Sequence, residues 1–223
     1  MWTRFLILML VTLLNVSLGF FVLKKSRANI AKIYFSFICF ASAMWSAGLA
    51  LASVIRKEDI FLINMRFLYI AATAIFLFFF LFAVNFLYKY KLNIILKYLF
   101  ILVSAGIFYV IISGQLFEGI YEYQGFIYQL ENNSLILIYG IYFILILLIS
   151  YYILLRKFFI SQGVNRKILS WLISWTAIAF ILGIFFAWYM TCLGKQYFNW
   201  FGCLATIFMN FSIFYLCFKK VEE

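Results

Sequence analysis

Residues 63–82 read "INMRFLYIAATAIFLFFFLF". Beyond Arg66 no charged side chain appears until Lys89. About twenty apolar residues in one run are what a helix needs to cross hydrocarbon. A crossing segment in lipid must also satisfy its own backbone, which a helix does. The stretch therefore sets the fold class, and it raises a question about Arg66 at its head. Read as helix three over residues 60–87, the segment spans 28 residues. At 1.5 Å per residue it reaches about 42 Å, against a hydrocarbon core of about 30 Å. Arg66 then lies about two residues inside the core, from where a long side chain reaches the headgroups. One reading makes it a border anchor. The other places it inward, because Arg66, Tyr69 and Thr73 fall on one helical stripe at i, i+3 and i+7.

The rest of the chain resembles this stretch in character. Of 223 residues, 68% are hydrophobic, 23% aromatic and only 11% charged. A water-soluble chain of this length carries far more polar surface. Apolar windows place crossings at 5–23, 33–54, 60–87, 94–113, 134–155, 168–193 and 198–218, with residues 219–223 as a short tail. The period-two alternation of a membrane barrel is missing, so the expected architecture is an all-α, polytopic bundle of seven transmembrane helices. Lys24, Lys25, Arg27 and Lys32 follow the first apolar run and only Arg4 precedes it, so the expectation is a retained helix and not a secretory signal.

Alternate connections are unequally charged. Lys24, Lys25, Arg27, Lys32, Lys89, Lys91, Lys97, Arg156, Lys157, Arg166, Lys167, Lys219 and Lys220 fall on one side. Arg4, Arg56, Lys57, Arg66 and Lys195 fall on the other. Positive-inside bias then puts the amino terminus outside and the carboxyl terminus in the cytoplasm. The net charge of +11 is accounted for by an anionic inner leaflet, so membrane lipids and not nucleic acid are the expected partner.

Catalytic chemistry finds no foothold. The chain has no histidine and no proline, which removes the usual general base, the commonest metal ligand and the helix breaks of many transporters. No crossing holds a carboxylate, and neither G-x-S-x-G nor a phosphate loop occurs. Helix seven has no lysine for a retinal link. The expectation is a non-enzyme without cofactor or metal. Cys39, Cys192, Cys203 and Cys217 lack metal spacing and read as packing residues, with a Cys192–Cys203 bridge left open.

Thin polar seams mark several crossings. Thr12, Asn15 and Gly19 share one arc of helix one; Cys39, Ser42, Ser46 and Ser53 share one of helix two; Cys203, Thr206, Asn210 and Cys217 share one of helix seven. Such seams serve close helix packing, or alternatively line a ligand pocket or ion path. The longest connection on the outer side, residues 114–133, reads "GQLFEGIYEYQGFIYQLENN". Its segments "IYEY" and "FIYQ" flank Gln124 and Gly125, which predicts a short hairpin. Its aromatics serve either as a headgroup anchor or as a lid over a ligand.

A family resemblance adds to this reading. Asn15, the basic "KKSR" at 24–27, "FASAMWSAGLAL" at 40–51 with Trp45, and "NMRFLYIAATAIFLFFFLFAVNFL" at 64–87 carry it. Across residues 10–90 the chain resembles the N-terminal seven-helix sensor region of bacterial membrane histidine kinases, also fused to diguanylate cyclases. Beyond residue 100 only the pattern of crossings continues. The resemblance implies a bacterial inner-membrane sensor with cytoplasmic output. The candidate ligand contacts for such a sensor are Trp45, Arg66, Tyr69 and Thr73, joined by Tyr121 and Glu122 from the loop. Two features depart from the pattern: "TAIF" at 73–76 stands where the family often has proline, and "CFKKVEE" ends the sequence where a signalling helix and kinase or cyclase would begin. The expected partner is thus a separate histidine kinase or cyclase, with a homodimer also open. The alternative function is a small transport or channel subunit.

Overall fold

The computed structural model describes residues 2–26, 29–90, 94–123, 126–186 and 200–218, leaving out the side chains of 94–97, 121–128, 130, 131, 217 and 218. Within these, the helices in chain order are α1 (Trp2–Lys25), α2 (Ile30–Ala52), α3 (Glu58–Asn85) and α4 (Ile94–Ile112). A hairpin of β1 (Phe117–Tyr123) and β2 (Phe126–Glu131) follows, and then α5 (Asn133–Ile160), α6 (Gly163–Ile184) and α7 (Phe201–Phe218). By length and composition α1, α2, α3, α5 and α6 can each cross a membrane, while α4 and α7 hold shorter apolar helices at Tyr98–Ile112 and Phe201–Leu216. The protein is a helical membrane bundle.

Local chemistry sets the helix ends. The Asn29 side chain accepts the Lys32 backbone N–H at the start of α2, and the Asn132 side chain accepts that of Leu135 at the start of α5. Each satisfies one of the donors that a helix start leaves open. Glu58 and Asp59 occupy the first turn of α3, where negative charge complements the helix dipole.

Pairwise contacts fix an up–down arrangement. Thr12 meets Ser46 at 2.9 Å while Phe20 meets Phe40 at 5.0 Å between ring centroids, so α1 and α2 run antiparallel. Asn64 donates to the Gly48 carbonyl at 2.8 Å and Phe78 stacks on Phe37, so α2 and α3 do the same. Helices α3 and α5 run parallel, from Tyr69–Tyr139 at one end to Lys157 beside Ala83 at the other. Asn15–Asn210 and Phe21–Phe214 place α1 and α7 parallel as well. Helix α3 is the hub. It touches α2, α4 and α5 along its length, and Phe76 and Phe79 reach Phe180 of α6.

The core is aromatic. Phe35, Phe79, Phe80 and Phe82 are fully buried, whereas Leu102 is 70% exposed and Trp171 56%. In lipid this partition carries little hydrophobic driving force, since acyl chains are as apolar as leucine. Interior phenylalanines hold the bundle by close contact, and outward apolar side chains meet lipid.

Element bounds differ from the sequence expectation chiefly in α5, which runs five residues past the expected end at 155, and in α6, which starts at 163 rather than 168. Arg156 and Lys157 therefore belong to a helix and not to a charged loop. Lys157 is also fully buried. Its ammonium lies 2.6–3.0 Å from the carbonyl oxygens of Ala83, Val84, Phe86 and Tyr88 and shares its three N–H donors among them, where α3 ends and the chain turns through Leu87 at φ 59°. A cation among the last carbonyls of a helix caps them and offsets the dipole. The tail at 219–223 lies outside the described residues.

Candidate functional site at the hairpin end

Arg66, Tyr69 and Thr73 lie within an arc of about 60° on α3, by the helical repeat. That face looks toward the end of α4, the start of α5 and the hairpin. Arg66 Nη1 donates to the Ile112 carbonyl at 3.3 Å, in the last turn of α4. This end of α4 carries the negative pole of the helix dipole, which a guanidinium complements. The chain leaves α4 through Gly114 at φ 79°, and a Cβ there would run into the guanidinium. Arg66 Nε is buried and makes no hydrogen bond. Arg66 is thus a strut between α3 and the end of α4, half-buried, with its buried Nε–H still to be used.

One turn further in, the Tyr69 ring meets Phe117 of β1 edge-on at 5.3 Å and Tyr139 of α5 at 5.2 Å. The Tyr139 hydroxyl donates to the Tyr69 carbonyl at 3.1 Å. Thr73, fully buried, donates to the same carbonyl at 2.8 Å and sits 3.4 Å from the Tyr139 hydroxyl. From there an aromatic ladder continues inward: Tyr139 to Phe143 at 4.3 Å, Phe143 stacked on Phe76 at 4.1 Å, and Phe76 to Phe180 at 5.3 Å.

The hairpin closes over this group. Its strands pair antiparallel, with Tyr121 opposite Tyr128 and Glu122 opposite Ile127, as "IYEY" and "FIYQ" predicted. Asn132 Nδ2 donates to Glu118 at 2.9 Å, and the Asn132 N–H donates to the Leu116 carbonyl at 2.9 Å, tying the base of the hairpin to the start of α5. The side chains of Tyr121 and Glu122 lie outside the described residues.

Trp45 is placed elsewhere. It is buried in the main core on α2, which packs on α3 through Asn64 and Leu68. Those positions lie about 160–200° around α3 from Arg66. The structure therefore gathers Arg66, Tyr69 and Thr73 beneath the hairpin and leaves Trp45 on the other side of the helix. Tyr139 and Gly114 complete the group and escaped the sequence reading. Gly114, directly after a helix, carried the usual signal of a left-handed helix stop, but Tyr139 is one tyrosine in an apolar run and carried none.

The seams of α1, α2 and α7 also come together, through Thr12–Ser46 at 2.9 Å and Asn15–Asn210 at 2.8 Å. Cys39 and Cys203 are both buried, and Cys203 is a free thiol and so not bridged; Cys192 is outside the described residues.

No curated protein matches the chain significantly. A family model, the N-terminal 7TM region of histidine kinase, matches residues 7–220, continuing well past residue 100 where the likeness by motif thins. With nearly its whole length covered, the chain belongs to the family of N-terminal seven-transmembrane regions of histidine kinases.

Proposed function

We propose that this chain is a bacterial inner-membrane sensor that takes a small or lipidic signal beneath the hairpin and acts through a histidine kinase or cyclase partner. The family match over residues 7–220 carries the proposal, since that family is a membrane sensor region of kinases. Three features support the finer reading. Arg66 keeps a buried, unused N–H beside an aromatic group. The hairpin rests on the same group through Phe117. The surplus of basic residues on alternate connections favours an outside amino terminus, so that a signal met at the hairpin end arrives from outside. The protein itself performs no chemistry in this reading; contacts at the opposite end, where Lys157 clamps the end of α3, pass the change on.

The test joins capture with response. Extraction in mild detergent should co-purify a histidine kinase or diguanylate cyclase, and Arg66→Ala should abolish that partner's response at normal protein level. An unchanged response in R66A removes the hairpin-end site. Solute flux in reconstituted vesicles that is lost on seam substitution would replace sensing by transport.

A further inference from the structure

Most buried hydroxyls among the described residues bond back to their own helix. Ser36, Ser46, Ser53, Ser150, Thr176 and Thr206 each donate to a carbonyl three or four residues earlier. Ser42 does not. Its hydroxyl is fully buried and has no partner. Two more unpartnered atoms belong to the amide pair of α1 and α7. Asn210 Nδ2 donates to Asn15 Oδ1, which leaves Asn15 Nδ2 and Asn210 Oδ1 buried without partners. Asn15 is 2% exposed and Asn210 0%.

These atoms share a level of the bundle. Helices α1 and α2 run antiparallel with Thr12 against Ser46 and Gly19 against Phe40, so Asn15 falls opposite the turn that holds Ser42. Helix α7 packs on both α1 and α2 and brings Asn210 directly to Asn15. Buried polar atoms are costly unless something bonds to them. Here they form a complementary set: an amide N–H that donates, an amide oxygen that accepts, and a hydroxyl that does either. Charged side chains on the same helices are remote. Arg4 and Lys24 lie about 16 and 14 Å along α1 from Asn15, and Lys32 about 15 Å along α2 from Ser42. Helix α7 has none over Phe201–Phe218.

We propose that Asn15, Ser42 and Asn210 form a binding site for one small uncharged hydroxyl-bearing molecule, either water or a short alcohol, at the α1–α2–α7 junction. The hydroxyl oxygen of the guest accepts from the Asn15 Nδ2–H and its O–H donates to Asn210 Oδ1, while the Ser42 hydroxyl supplies the third bond. With no counter-charge at hand, the site rejects ions. It stands independently of the hairpin-end site and of the sensing role.

The test uses the full chain, labelled with ¹⁵N-asparagine, in deuterated lipid nanodiscs. The Asn15 side-chain amide is identified by its loss in Asn15→Leu, and its magnetisation transfer is measured to water and to ethanol added stepwise. Transfer to water that persists through the ethanol series establishes water as the occupant. Saturable transfer to the ethanol methylene, with a falling water signal, establishes an alcohol site. Absence of both, or a purely linear rise with ethanol, overturns the proposal. Because Asn210 variants risk misfolding, Ser42→Ala is the second probe. Loss of one hydrogen bond should raise the ethanol midpoint about fivefold or weaken the water transfer. An unchanged signal in S42A also overturns the three-residue site.

Discussion

Replacing Lys157 by methionine keeps the length of the side chain and removes its charge and all its donors. In the wild type the ammonium meets four carbonyls. Two of these keep another partner, because the Tyr90 N–H bonds to Val84 O and the Tyr88 N–H bonds to Phe86 O. The Ala83 and Tyr88 carbonyls are left to water or to nothing. A buried acceptor that loses its partner costs about 1–3 kcal/mol. Two such acceptors suggest about 2–6 kcal/mol. Water can enter beside Tyr88, which is 37% exposed, and the methionine no longer needs an ammonium desolvated. Both effects favour the lower half of the range, about 3 kcal/mol. For a chain of this size that corresponds to a melting shift of about 6–12 °C. The buried thiols of Cys39 and Cys203 provide the assay: heating with a thiol-reactive dye reports their exposure. A K157M protein that melts within 2 °C of wild type, to use a rough threshold, would refute the view that Lys157 caps α3.

The same assay serves further variants. Gly114→Ala forces a Cβ into the Arg66 guanidinium at a left-handed residue and should cost about 1–2 kcal/mol or more, whereas Gly106→Ala, which meets nothing nearby, should gain about 0.5–1 kcal/mol; equal effects would deny the close approach at Gly114. Tyr88→Phe removes the bonds from its hydroxyl to the Lys157 carbonyl at 2.8 Å and to Ser161 at 3.2 Å, and should cost about 1 kcal/mol. A double-mutant cycle of Asn15→Ala and Asn210→Ala should give a coupling of about 0.6 kcal/mol, with about 1.7 kcal/mol as a ceiling; zero coupling would mean that the 2.8 Å contact holds nothing together.

How much of this was legible in the sequence follows from which residues are rare in an apolar chain. The crossings and the hairpin were readable because length, turn residues and alternation are local properties. So was the shared face of Arg66, Tyr69 and Thr73, since a helical repeat fixes it before any tertiary contact forms. Trp45 sits on a different helix, and nothing local says which side of α3 a neighbouring helix will take. Lys157 was read as one of many headgroup-facing charges. Charge count alone cannot separate a cation that snorkels from one that turns inward, and only the left-handed turn at Leu87 brings four carbonyls within its reach.

Helix pairing was the least readable feature, and the reason is physical. In water, an apolar stripe identifies the buried face of a helix; in lipid, Leu102 at 70% exposure and Phe80 at 0% are equally at home. Apolar patterning then carries almost no information on which helices touch. That information passes to the few side chains that hydrocarbon does not satisfy. Asn15 meets Asn210 across 195 positions of sequence, and each was marked beforehand only as part of a seam. A seam states that a helix will pack closely, not against what. Where three seams meet and polar atoms still lack partners, close packing has not used up their chemistry, and the junction of α1, α2 and α7 is accordingly where the bundle can admit something other than itself.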